Sequence, residues 1–104
     1  MNEIDAINQN KRNVYTQIES LKGNIEDIKD RKDEESKVLV NLLSAQVLLS
    51  QIFIDFCDMR LDSMFDLDTY NRLVNMWKKA EMSILDMSYT INGDSGIMKY
   101  TNKL

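Results

Sequence analysis

Every Ile, Leu and Val before residue 38 falls on one alternating three-four spacing: Ile4, Ile7, Val14, Ile18, Leu21, Ile25 and Ile28. That rhythm predicts an amphipathic helix with a heptad seam. Ile4, Lys11, Ile18 and Ile25 occupy the a positions, and Ile7, Val14, Leu21 and Ile28 the d positions. Lys11 stands where one apolar residue is missing. Asn2 suits the N-cap, and Glu3 and Asp5 suit the positive end of the helix dipole. Gly23 falls at f, on the solvent side, where glycine costs about 1 kcal/mol relative to alanine but blocks no packing.

The flanks of the seam describe its partner. The g positions are Asn10, Gln17, Asn24 and Arg31, and the e positions are Asn8, Tyr15, Lys22 and Lys29. They offer no attractive g-to-e charge pair, and β-branched residues at d disfavour a parallel two-stranded coil. The seam points instead to another helix of the same chain, an antiparallel copy or a larger bundle.

From Lys29 to Lys37 the chain is charged, KDRKDEESK. One reading is solvated helix laced with pairs such as Asp27–Arg31, Arg31–Glu35 and Asp33–Lys37. The other is a turn between antiparallel helices, with Asp33 or Ser36 capping the second. The apolar frame continues in phase at Leu39, Leu42, Leu49, Phe53 and Phe56, and no Gly or Pro forces a break. An unbroken helix over residues 3–60 would be about 87 Å long and would imply oligomerisation. Both readings stand on the sequence alone.

Residues 38–57, VLVNLLSAQVLLSQIFIDFC, are fourteen parts apolar in twenty, and Asn41, Ser44, Gln51 and Asp55 form one narrow polar stripe. This is the pattern of a central helix covered on most sides. The length also suits a membrane span. Six polar residues, Asp55 among them, and the lack of an aromatic belt and a basic anchor argue against one. From Asp66 or Asp68 as N-cap, Tyr70, Leu73, Val74, Trp77, Ala80, Ile84 and Met87 predict an amphipathic helix to about Ser88. Asn92–Gly96 is a turn signal between the short runs Tyr89–Ile91 and Ile97–Tyr100, which predicts a small hairpin or a loose tail.

The predicted fold is therefore all-α: a single helical domain over 1–104, a helical hairpin or bundle. A heptad helix with a charged end covers 1–37, an apolar central helix 38–64, an amphipathic helix 66–88 and a turn-containing tail 89–104. No internal repeat is present.

Composition narrows the function. The 104 residues contain no His, no Pro, one Cys and three Gly, with 17 acidic and 13 basic side chains and a net charge of −4. No Ser-His-Asp or Cys-His set is possible in one chain, and no intrachain disulfide or cysteine zinc site. The charge argues modestly against a broad nucleic-acid face. The polar N-terminus MNEIDAINQNK lacks the pattern of a secretory signal. An unpaired Cys57 fits a reducing, cytoplasmic setting. No cofactor and no metal is expected; the run DLDTYNRL lacks the ligand spacing and the glycine of an EF-hand.

Four features carry possible chemistry. Cys57, near Asp55 and Asp58, has the surroundings of a buried structural thiol rather than a nucleophile. Asp55, Asp58 and Asp62 share a helix face, either simply solvated or docking a basic partner. Residues 55–68 hold five Asp against one Arg, which accounts for the whole net charge. Trp77 is a core residue or an interface anchor, and Arg72, Lys78 and Lys79 beside it are the cations of a possible ligand site. Seven Met, six of them from Met59 onward, fill an irregular core or make an adaptable surface.

The first expectation is a non-enzymatic interaction module that self-associates or covers a partner protein, acting as a small regulator, inhibitor or assembly factor. Its interface would use Ile18, Leu21, Ile25, Ile28, Asp55, Asp58, Asp62 and Trp77. The second is a helical oligomer that binds a small ligand such as a nucleotide through Arg72, Lys78 and Lys79. The third is a coiled-coil component of a larger assembly. Enzyme chemistry would rest on Asp55, Asp58 and Asp62 alone.

Overall fold

The computed structural model describes residues 2–92, which form three helices: α1 (Glu3–Ile28), α2 (Glu34–Leu61) and α3 (Leu67–Asn92). The residues from 93 onward, with most of the expected turn and the second run of the hairpin, lie outside the described residues. The first run, Tyr89–Ile91, is helical rather than extended, so α3 continues past Ser88 and no strand occurs among the described residues.

Local chemistry sets each boundary. Asn2 accepts the backbone N–H of Asp5 at 2.8 Å and starts α1. The charged run turns. Lys29–Asp33 form the loop, and Glu34–Lys37 the first turn of α2. Of the two candidate caps, Asp33 does the work: its carboxylate accepts the Ser36 N–H at 2.9 Å. That bond also holds the Asp33 pKa below its usual range. Lys37 pairs with Glu34, because Asp33 faces the backbone.

α2 ends in a Schellman motif. The Ser63 N–H reaches the Arg60 carbonyl at 3.1 Å, and the Met64 N–H reaches that of Met59 at 2.8 Å. The motif needs a left-handed residue, and Ser63 supplies it at φ 61°. Asp66 then caps α3 by accepting the Thr69 N–H at 2.7 Å.

α2 is the middle element. It packs against both α1 and α3, and α1 and α3 have little direct contact with each other. The principal extents, 46 × 21 × 20 Å, are about one helix length by two helix diameters. Sites that bring the ends together confirm the antiparallel order. Arg60 at the end of α2 forks onto the Glu3 carboxylate at 2.8 and 3.1 Å and donates to the Phe65 carbonyl at 2.9 Å. One guanidinium thus ties the start of α1, the end of α2 and the loop before α3. One α-helical turn after another, Lys11 explains its place in the seam by pairing with Asp58.

The core is in two parts. Ile7, Val14, Ile18, Phe53, Ile54, Cys57 and Tyr70 pack at the end tied by Arg60. Leu21, Ile28, Leu39 and Leu43 pack at the end near the first loop. The row that α2 buries runs Leu39, Leu43, Gln46, Ser50, Phe53, Cys57, so two polar residues separate the clusters. The stripe Asn41, Ser44, Gln51 and Asp55 is exposed, and Leu48 lies among it at 60% exposure. α2 is long and apolar enough to cross a membrane by length and composition; in this fold its apolar flanks lie against α1 and α3.

Two glycine exchanges follow. A Cβ at Gly23 meets nothing within 4 Å, so Gly23→Ala is expected to stabilise by about 0.5–1 kcal/mol. Ser63→Gly relieves a left-handed serine and is expected to add about 0.5 kcal/mol. Chemical denaturation checks both; a lower midpoint contradicts the open helix face described at Gly23 or the left-handed cap described at Ser63.

Candidate functional site

The expected interface residues divide. Ile18, Leu21 and Ile28 are buried against α2 and Ile25 is half-buried, so the seam is spent inside the chain rather than offered to a partner. Ile4, the first a position, is left exposed. Asp55 and Asp58 line an open groove of about 500 Å³ between α1 and α2 with Tyr15, Ile18, Glu19, Lys22, Gln51 and Ile54. Asp58 is already neutralised there by Lys11, whose ammonium is held in its charged form by the hydrogen bond it donates to that carboxylate. Asp62 caps the end of α2 and does not join the groove.

Trp77 is half-buried. Its ring lies 4.8 Å from that of Phe53, and its indole N–H donates to the Leu49 carbonyl at 2.7 Å. The three expected cations separate. Lys78 reaches a second groove of about 430 Å³, between α1 and α3 over α2. Arg72 faces Asp68 at 3.9 Å, and Lys79 is exposed; neither lines that groove. Its other walls are Asn10, Asn13, Val14, Phe53, Tyr70, Asn71, Val74 and Trp77.

The g column of α1 supplies residues to these cavities that none of the expected sites included. Asn10 and Gln17, though exposed, respectively line this groove and an inner cavity that α3 also walls, and Asn24 is buried at 1% exposure. The available signal was three carboxamides in a row at seven-residue spacing. The inner cavity, of about 30 Å³, lies between the two apolar clusters and is lined by Gln17, Gln46, Leu49, Ser50, Glu81 and Leu85. Gln46 is 8% exposed with its amide nitrogen unpartnered, and neither amide atom of Asn24 has a partner. Burial pushes the Glu81 carboxyl above its usual range. A third groove, of about 340 Å³, opens between α2 and α3 near the first loop. Val38, Leu42, Met87 and Ile91 form it, with only Asp86 and Thr90 polar.

Cys57 is fully buried, and its thiol lies 3.6 Å from the Tyr70 hydroxyl. Burial raises the thiol pKa, and burial with the Cys57 contact raises that of the phenol, so both stay protonated at neutral pH. Among the described residues no three His, Cys, Asp or Glu side chains converge as metal ligands. No family model, no curated protein and no solved structure matches the chain.

Two measurements test the inner polar layer. Asn24→Leu removes two unpartnered buried polar atoms at similar volume, and is expected to stabilise by about 1 kcal/mol or more in equilibrium denaturation; a clear loss would mean that the amide is satisfied. Glu81 binds its proton more tightly folded than unfolded. Stability therefore falls as pH rises from 4.5 through the raised folded value. Glu81→Gln is expected to remove that slope in a pH series of melts. Asp33 and Asp66 act oppositely and at lower pH, because backbone hydrogen bonds hold both below 3.8.

Proposed function

We propose that the protein is a non-enzymatic helical interaction module, a small regulator, inhibitor or assembly factor that works by covering a partner surface and by pairing with a second copy. The observation that carries the reading is the exposed apolar surface on α3 and the neighbouring flank of α2. The α2–α3 groove is walled by Val38, Leu42, Met87 and Ile91, and its polar residues are only Asp86 and Thr90. Met76, three turns before Met87 on the same face of α3, is 58% exposed. Contiguous apolar surface on a soluble chain marks interaction sites. Flexible thioether side chains suit a surface that adapts to another helix laid in the groove. Self-association thus moves from the α1 seam, which the fold consumes, to the opposite flank of the molecule. A buried free thiol is compatible with work in the cytoplasm.

Met87 and Ile91 are exposed, so charged replacements there leave the core intact. Light scattering behind a sizing column is expected to show the wild type larger than a monomer at high concentration, and M87E/I91E as a monomer with an unchanged melting profile. A wild type that stays monomeric sinks the self-pairing. Capture from the native host, run with both proteins, tests the partner half: a protein retained by the wild type and lost with M87E/I91E supports it, and identical retention by the two overturns it.

A further inference from the structure

We propose that the crevice between α1 and α3 binds a small organic anion built on a planar ring, an aromatic carboxylate or a nucleoside phosphate. The argument begins with charge. The chain carries a net −4, yet no carboxylate lines this groove of about 430 Å³, while Lys78 does. The groove between α1 and α2 has the reverse balance, with Glu19, Asp55 and Asp58 against Lys22. Of these two grooves, the α1–α3 crevice is the one lined by a cation and no carboxylate, the local balance that suits a negative ligand.

Hydrogen-bonding capacity points the same way. The Trp77 N–H is spent on the Leu49 carbonyl, and the Tyr70 hydroxyl faces Cys57. Both residues therefore contribute ring surface and no free polar atom. The Asn13 oxygen accepts from Gln9 at 3.0 Å, which leaves its N–H groups to donate. Donors from Asn13 and the Lys78 ammonium favour a ligand rich in acceptors, and Asn10 and Asn71 can serve either role. The anion's oxygens would sit at Lys78, and its ring over Val14, Val74 and the Phe53–Trp77 pair.

Size and rigidity complete the case. The volume is within the usual range for a small-molecule site, and so is the mixture of an apolar floor with a few polar groups. Trp77 is fixed before any ligand arrives, by its hydrogen bond and by Phe53 at 4.8 Å, so little order is lost on binding. The crevice exists because α1 and α3 have little direct contact. It is separate from the apolar α2–α3 surface, so M87E/I91E leaves it whole and the two proposals fail independently.

Trp77 is the only tryptophan, and its fluorescence reports on this groove directly. The probes are AMP and benzoate, each beside its neutral counterpart, adenosine and benzamide, with the full chain. At least one anion is expected to change the emission saturably with a Kd below about 1 mM, and its neutral counterpart to bind about tenfold more weakly. Lys78→Gln is expected to weaken that anion about tenfold, and Lys79→Gln, outside the groove, to leave it unchanged. Binding of benzoate alone assigns an aromatic acid, and binding of AMP alone a nucleotide. Saturation by neither anion overturns the proposal, as does a Lys78→Gln variant that binds as tightly as the wild type.

Discussion

The structure depends on the need to cover α2. Its middle twenty residues carry fourteen apolar side chains; four of the six polar ones form a thin stripe from Asn41 to Asp55, and Gln46 and Ser50 lie opposite it. One neighbouring helix covers too narrow an arc for such a surface. α1 and α3 each bring one apolar face, and each is laid against a different flank of α2. Once both flanks are covered, no comparable apolar demand pulls α1 and α3 together. A crevice opens between them, and the polar residues that face it cost little. The same reasoning explains the groove at Val38 and Leu42, where the flank of α2 extends beyond what α3 covers. The grooves are consequences of how a nearly all-apolar helix is shielded by two narrower ones.

Charge fixes the arrangement that apolar burial alone leaves loose. Arg60 joins α1 to the end of α2 and to the second loop, and Lys11 pairs with Asp58 a few residues away. Exposed ion pairs contribute little each. Here the fork geometry and the three-way tie matter more for position than for energy. They also change the meaning of the acidic run over residues 55–68. Asp58 answers Lys11, Asp66 caps the start of α3, Asp62 closes α2 through its backbone N–H, and Asp55 is exposed in the α1–α2 groove. The Asp58 and Asp66 carboxylates therefore serve the fold.

The three helices and the d row were legible because burial against one neighbour leaves a clean period in the sequence. The break after Ile28 was not. No Gly or Pro stands there, the apolar frame continues in phase, and the decision falls to Asp33, one of several charged residues able to cap. The place of the g column was hidden for a related reason. A heptad frame presupposes a single partner along a single seam, whereas α1 meets α2 through its a and d rows, shares cavities with α3 through Asn10 and Gln17, and buries Asn24. Gln46 and Ser50 were equally hidden. They sit four residues apart on the side opposite the solvent stripe, a placement that means burial only once two neighbours are known. Of the expected ligand cations only Lys78 reaches a groove, because adjacent residues on a helix point about 100° apart and Lys79 faces away.

The inner polar layer then bears on specificity. Unpartnered buried amides cost about 1–3 kcal/mol each, a large share of the stability of a domain this small. An apolar layer at the same height would hold the helices more tightly but less selectively. α2 buries residues at a near-heptad spacing, so a slide of one heptad would keep most apolar contacts. It would also set Gln46 where Leu39 or Phe53 now packs, away from Gln17 and Glu81 and deep in hydrocarbon. A polar layer between two apolar clusters penalises that slip far more than it penalises the native register. The register in turn places Lys78, Asn10 and Asn13 around one crevice, so the amides that weaken the core also define the surface that α1 and α3 present.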